Sequence, residues 1–113
     1  GSFYLGGYFM PVTKIEAVEV IREVSGVPPI LLKIARCESA TGHYDANGQV
    51  VLTPNLKSVD IGKYQINDDH WGKKAKEMGL NLVNEQDNET MALWLYANRG
   101  TEDWYLSKNC WQK

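Results

Sequence analysis

The chain has 113 residues, with 12 basic and 14 acidic side chains, a formal net charge of −2 and 43% hydrophobic residues. This length and apolar content fit one small globular domain and exclude intrinsic disorder. The near-balanced charge provides no basic stripe and disfavours a nucleic-acid module, because such modules bind largely through clustered Lys and Arg.

The first segment, residues 1–12, is uncharged and rich in aromatic side chains. It is shorter than the roughly 18 apolar residues of a membrane span, and it lacks the charged and apolar regions of a signal peptide. We interpret 1–12 as a tag remnant or linker and 13–113 as the domain.

Two helices are predicted next. Residues 13–16 have capping-box form, and apolar residues at helical spacing continue this helix to about Gly26. Pro28-Pro29 suits the entry to a second helix over 30–36, which is apolar nearly all round and therefore buried. That helix delivers Glu38 at its C-terminal end.

The pattern changes between residues 40 and 66, where Gly, Asn, Asp and Pro separate short β-prone runs. Asn47-Gly48 before residues 50–52 predicts a small, irregular β-hairpin.

Helical spacing returns after the hairpin. Asn67 is a candidate cap for a helix that ends at Gly79, and a further helix is predicted from residue 87 or 88 to 99–100. A last short segment covers 101–106. The predicted fold class is α+β, mainly α.

Two carboxylates fall in contrasting surroundings. Glu38 follows an apolar helix at its C-terminus, where desolvation and the helix dipole both raise a carboxyl pKa. Asp60 lies among hydrogen-bonding neighbours that favour an ionised carboxylate. Such a pair suits glycoside cleavage.

Glu38-Ser39, the run Asp-Ile-Gly-Lys-Tyr-Gln-Ile-Asn at 60–67, and Trp71 together resemble the signature of lysozyme-like peptidoglycan-cleaving enzymes. The similarity covers roughly residues 13–113. It is strongest to bacterial lytic transglycosylases of secretion and conjugation systems, and extends to c-type lysozymes. The resemblance implies a lysozyme-like fold with a small β-hairpin and a glycan cleft between two lobes.

The resemblance also implies an activity, which is cleavage of the β-1,4 bond between N-acetylmuramic acid and N-acetylglucosamine by a lytic transglycosylase. Glu38 matches the general acid and base. Asp60 matches the second carboxylate of c-type lysozymes, or it braces the hairpin. The alternatives are a hydrolytic lysozyme and a catalytically weak peptidoglycan-binding module, the latter because Lys63-Tyr64 replaces the usual Leu-Met pair.

Four further residues match substrate-binding positions of the family, and a fifth, Tyr64, is a substrate-binding candidate. Gln65 and Asn67 line the cleft, or serve structural hydrogen bonding and capping. Trp71 packs against sugar rings, or belongs to the core. Trp104 resembles the aromatic residue that shields the catalytic glutamate. A tyrosine of the family motif is displaced here, and its role is unassigned or taken by Tyr64 or Tyr96.

The two cysteines, Cys37 and Cys110, match a pair found in resuscitation-promoting factors, and this similarity implies a disulfide and an oxidising compartment. The alternative is two unrelated buried thiols. A thiol enzyme using Cys37 with His43 or His70 lacks a recognised local signature, and the histidines lack metalloprotease spacing. We expect no cofactor and no metal.

The expected partner is a peptidoglycan glycan strand, with no nucleic acid and no membrane contact within this domain. A larger parent chain or a secretion apparatus is a further expected partner, and the domain is expected to be a monomer. Cell-wall chemistry and a disulfide together predict an extracytoplasmic location, in the periplasm, in the cell wall or secreted.

Overall fold

A computed structural model of the chain describes residues 2–5, 8–11, 22, 26–40 and 42–113. It is an α+β fold in which helices pack with a small three-stranded antiparallel sheet. This confirms the predicted class. The helix predicted over 13–26 lies almost wholly outside the described residues. Arg22 is helical, and its carbonyl accepts a 2.9 Å hydrogen bond from the Gly26 amide.

Strands β1 (Ser2–Leu5) and β2 (Tyr8–Pro11) pair antiparallel, with Leu5 opposite Tyr8 at the closed end. The segment that we interpreted as a tag remnant or linker therefore contains two paired strands. Alternation of polar and apolar residues is missing here, so no strand was predicted.

Helix α1 covers Pro29–Ser39 and begins with proline at its first position, where the missing amide proton costs nothing. Leu31, Ile34 and Ala35 are buried, but Leu32, Lys33 and Arg36 are exposed. The prediction that the helix is buried therefore holds for one face only. The helix is longer than predicted, because it continues through the Cys-Glu-Ser segment. Glu38 therefore lies in the last turn itself.

The sheet consists of β3 (Leu52–Pro54), β4 (Val59–Ile61) and β5 (Ile66–Asn67), in that order. Asn47-Gly48 forms a turn, as predicted, but this turn is flanked by one isolated bridge between Tyr44 and Val50. The main hairpin reverses over residues 55–58 instead. There the Asn55 amide donates a 2.7 Å bond to the Ser58 carbonyl.

Helix α2 (Asp68–Glu77) confirms the predicted cap, since Asn67 Oδ1 accepts from the His70 amide at 3.0 Å. Helix α3 (Glu85–Arg99) begins two residues before the earlier of its two predicted starts. The reason is a cap at Asn84, whose Oδ1 accepts from the Asp87 amide.

The C-terminal segment is a 3-10 helix (Glu102–Ser107) followed by helix α4 (Lys108–Trp111). The predicted disulfide is present, with the Cα atoms of Cys37 and Cys110 separated by 5.9 Å. It joins the last turn of α1 to α4, so the turn that carries Glu38 is covalently tied to the end of the described chain.

A buried polar cluster joins α3 to the turn after β4. Asn88 is fully buried; its Nδ2 donates to the carbonyls of Ile61 and Leu82, and its Oδ1 accepts from the Tyr64 amide. His43 is buried beside it, with Nδ1 accepting from the Lys63 amide at 3.0 Å and Nε2 2.7 Å from the Val83 carbonyl. These bonds provide partners for backbone groups in the turn after β4 and in the segment before α3.

Gly62 has no room for a side chain in this cluster. Its φ is +75°, and an added Cβ would lie 2.5 Å from His43 Cε1 and 2.8 Å from Asn88 Nδ2. Gly48 has a nearly identical φ of +77° but open space around it. A side chain at Gly48 would therefore meet backbone strain alone, whereas one at Gly62 would meet backbone strain and a steric clash.

We expect Gly48→Ala to lower the free energy of unfolding by about 1 kcal/mol, because only the positive φ is strained. Gly62→Ala should lower it by about 3 kcal/mol, because the methyl group must also displace His43 and Asn88. Urea unfolding followed by circular dichroism measures both. Equal losses would contradict the close packing at Gly62.

Loss of the disulfide should also destabilise the fold. Replacement of both cysteines by alanine should lower the free energy of unfolding by about 4 kcal/mol, since the bond closes a loop with a sequence separation of 73. The unmodified protein in reductant is the matched control and should unfold at the same urea concentration as the double variant. Two free thiols in unreduced, denatured protein would contradict the bond.

Candidate active site around Glu38 and Asp60

A pocket of about 500 Å³ contains both predicted carboxylates. Its walls come from the last turn of α1, the β3–β4 hairpin, helix α2, the end of α3 and the 3-10 helix. The residues that line it include Glu38, Asn55, Ser58, Asp60, Gln65, Asn67, Trp71, Arg99, Glu102, Asp103, Trp104, Tyr105 and Leu106. The fold thus brings together residues from the whole described length between α1 and the 3-10 helix.

Glu38 is partly buried, and Ser107 Oγ donates a 2.9 Å hydrogen bond to its Oε1. Burial raises the pKa of the Glu38 carboxyl above its ordinary value of 4.5; the Ser107 bond partly opposes this, and the negative charge of Asp60 adds to it. The predicted direction of this shift agrees with the structure. The result is a carboxyl group that retains its proton to higher pH.

Asp60 is held by two amide side chains. Asn55 Nδ2 donates to Oδ2 at 3.1 Å, and Asn67 Nδ2 donates to Oδ1 at 2.9 Å. Asp60 also faces Asn67 across the β4–β5 ladder. Both carboxylate oxygens therefore act as acceptors, and the group simultaneously braces the hairpin and faces the pocket.

Gln65 and Asn67 line the pocket while making structural hydrogen bonds. Gln65 has a φ of +49°, and its Nε2 donates to the carbonyls of Gly62 and Val51 at 3.0 and 3.3 Å. Asn67 caps α2 through Oδ1, as described above. Each of these two side chains therefore lines the pocket and also makes structural hydrogen bonds.

Trp71 lines the pocket, and its indole contacts three neighbouring side chains. Its Nε1 donates to Asp103 Oδ1 at 2.9 Å, Arg99 Nε donates to Asp103 Oδ2 at 2.9 Å, and the Arg99 guanidinium lies 5.1 Å from the Trp71 ring centroid. The ring also packs edge-on against Trp94, with centroids 6.2 Å apart. Trp71 therefore both lines the pocket and packs against the core.

Trp104 is buried beneath the pocket with 2% of its surface exposed. Its Nε1 donates to the Tyr64 carbonyl at 2.9 Å, and Ser107 Oγ lies 3.1 Å from the Trp104 carbonyl oxygen. The backbone carbonyl of Trp104 and the carboxyl of Glu38 thus both contact the Ser107 hydroxyl.

Tyr64 lies outside the pocket, unlike the other predicted binding residues. Its side chain is fully buried in the core, and its hydroxyl is 3.4 Å from Glu89 Oε2. Burial and the adjacent Glu89 carboxylate raise the pKa of Tyr64. Lys63 also turns to Glu89, at 3.2 Å. Gly62 has a φ of +75°, and the turn at this residue directs Lys63 and Tyr64 toward α3.

Sequence reasoning missed Ser107, Arg99 and Asp103. Ser107 follows buried Trp104 by three residues, a spacing that places both on one face of a 3-10 helix. The Arg99–Asp103 pair is separated by four residues, the spacing of a helical ion pair. Neither spacing by itself indicates a pocket, because both are common on helix surfaces.

The described residues contain no group of three or more His, Cys, Asp or Glu side chains placed to hold a metal ion. Within that part of the chain, no helix has both the length and the apolar character needed to cross a membrane. Comparisons of the chain with protein-family models, with curated proteins and with solved structures gave no match.

The pKa of Glu38 should respond in opposite directions to two substitutions. Ser107→Ala removes the bond to the carboxylate and should raise this pKa further, whereas Asp60→Asn removes a nearby negative charge and should lower it. Carboxyl ¹³C NMR titration measures both, with Glu38→Gln identifying the resonance. Shifts in the same direction would contradict this assignment of causes.

Proposed function

We propose that this chain is a peptidoglycan-cleaving glycosidase that acts on the β-1,4 bond between N-acetylmuramic acid and N-acetylglucosamine, as a lytic transglycosylase of the lysozyme-like superfamily. The observation that carries the proposal is the Glu38 carboxyl in the pocket, with its raised pKa and its Ser107 partner. A general acid must be protonated when substrate binds, and burial favours that form. In this proposal, the pocket is the glycan cleft between two lobes.

In the proposed reaction, the Glu38 carboxyl donates its proton to the glycosidic oxygen as the bond from muramyl C1 to that oxygen breaks. The glucosamine unit leaves with a free 4-hydroxyl group. Glu38, now a carboxylate, accepts the proton of the muramyl C6 hydroxyl while that oxygen bonds to C1. The products are a 1,6-anhydromuramyl end and the regenerated acid.

The role of Asp60 differs between the two candidate second steps, which are ring closure by the muramyl hydroxyl and hydrolysis by water. Its oxygens are both engaged by Asn55 and Asn67, which suits a bracing role and a reaction closed by the sugar's own hydroxyl. The second candidate is hydrolysis by a lysozyme, with water attacking C1 and Asp60 assisting. The observation that favours it is that Asp60 faces the same pocket and acts electrostatically on Glu38.

The charge of the pocket also bears on the ligand. Among the described lining residues are the carboxylates of Asp60, Glu102 and Asp103, and Arg99 is already paired with the latter two. An uncharged sugar backbone fits this lining, whereas a polyphosphate backbone would be repelled. The disulfide is compatible with an extracytoplasmic location, in the periplasm, in the cell wall or outside the cell.

Glu38→Gln should abolish glycan cleavage while preserving binding to peptidoglycan, because the amide keeps the shape but carries no transferable proton. The measurement is mass spectrometry of muropeptides released from purified peptidoglycan. Glu77→Gln, at the exposed end of α2, is the matched control and should cleave normally. Anhydromuramyl ends indicate a transglycosylase, and reducing muramic ends indicate a lysozyme. Binding without release by the unmodified protein would instead indicate a peptidoglycan-binding module.

A further inference from the structure

Two aromatic side chains that line the pocket, Trp71 and Tyr105, differ in how far neighbouring side chains already occupy them. Trp71 is engaged: Arg99 covers one face of its indole, and Asp103 accepts its N–H. A sugar ring stacking on that face would have to displace the guanidinium, which is also paired with Glu102 and Asp103. Stacking on this face of Trp71 therefore carries the cost of breaking an existing set of contacts.

Tyr105 is the exposed ring. It lines the pocket with 65% of its surface exposed, and the adjacent Leu106 lines it with 86% exposed. On either side along the chain, Trp104 and Ser107 turn inward toward Glu38 and the core. Two neighbouring, exposed apolar side chains at a pocket wall, anchored by buried neighbours, are typical of a binding surface.

The other lining groups complement this surface. Asn55 and Ser58 come from the β3–β4 hairpin and present an amide and a hydroxyl, whereas Tyr105 and Leu106 come from the 3-10 helix. A pyranose ring has C–H groups on its faces and hydroxyl groups around its edge. Aromatic side chains contact the C–H faces, and polar side chains hydrogen-bond the edge.

We propose that Tyr105 is a substrate-binding residue whose ring, extended by Leu106, is the platform for an N-acetylated amino sugar in the pocket. The inference rests on the proposed function and adds the position of a sugar subsite to it. The Tyr105 ring has two rotatable side-chain bonds, so it offers a large contact area at a small loss of conformational freedom.

The test measures binding in the Glu38→Gln background, where cleavage does not consume the ligand. The probes are insoluble purified peptidoglycan in a sedimentation assay and the soluble tetramer of N-acetylglucosamine in calorimetry. Tyr105→Ala should weaken binding about tenfold, the size typical of truncating a central tyrosine. The affinity of Tyr105→Phe should remain within about twofold of the parent affinity, because the aromatic ring, and not the hydroxyl group, contacts the sugar. Leu56→Ala, in the fully exposed hairpin turn outside the pocket, is the matched control and should bind normally.

With Glu38 restored, Tyr105→Ala should raise KM for peptidoglycan about tenfold and leave kcat within about twofold, since the ring contributes binding and no proton transfer. Unchanged binding by Tyr105→Ala would overturn the inference while leaving the proposed function intact. An equal loss in Tyr105→Phe or Leu56→Ala would also overturn it. If the Glu38→Gln protein binds neither probe and the unmodified protein releases no muropeptide, the proposed function fails and this subsite with it.

Discussion

The pocket depends most on the hydrogen bonds of the Asn88 side-chain amide. From a fully buried position on α3 it bonds three backbone groups, the Ile61 and Leu82 carbonyls and the Tyr64 amide. Ile61 and Tyr64 lie on either side of the turn at Gly62, so the amide fixes how β4 leaves the sheet. Because unpaired buried backbone groups are costly, the turn has few alternatives. Asp60 before the turn and Gln65 after it are thereby held toward the pocket.

A second node, the Ser107 hydroxyl, connects the acid to the core. It bonds Glu38, lies 3.1 Å from the Trp104 carbonyl, and accepts from Trp111 Nε1 at 3.1 Å. The disulfide ties α1 covalently to α4, the helix that directly follows Ser107. Glu38 is therefore held in a partly desolvated position by a hydrogen bond and a neighbouring disulfide. The Ser107 bond that holds the C-terminal segment to α1 also affects the pKa of the candidate acid.

Much of this arrangement could be predicted from local patterns. The capping of α2 by Asn67, the burial of one face of α1 and the α+β class follow from side-chain chemistry that acts within a few residues. The start of α3 was misplaced because Asn84 and the later polar residues are all plausible caps, and only the observed bond to the Asp87 amide selects one. Tyr64 was assigned to the binding surface from its place in a motif, yet the positive φ at Gly62 and the burial of the ring place it in the core.

The sequence by itself determined the contrasting surroundings of the two carboxylates and the Asn67 cap of α2, because each depends on residue type and local order. Only the tertiary structure decided which side chains share the pocket. Arg99, Asp103 and Tyr105 enter it, and Ser107 reaches Glu38, because the 3-10 helix packs against α1 and α3. Such packing depends on contacts between residues distant in sequence. That is also why Trp71 is engaged by Arg99 and Asp103 while Tyr105 is left exposed.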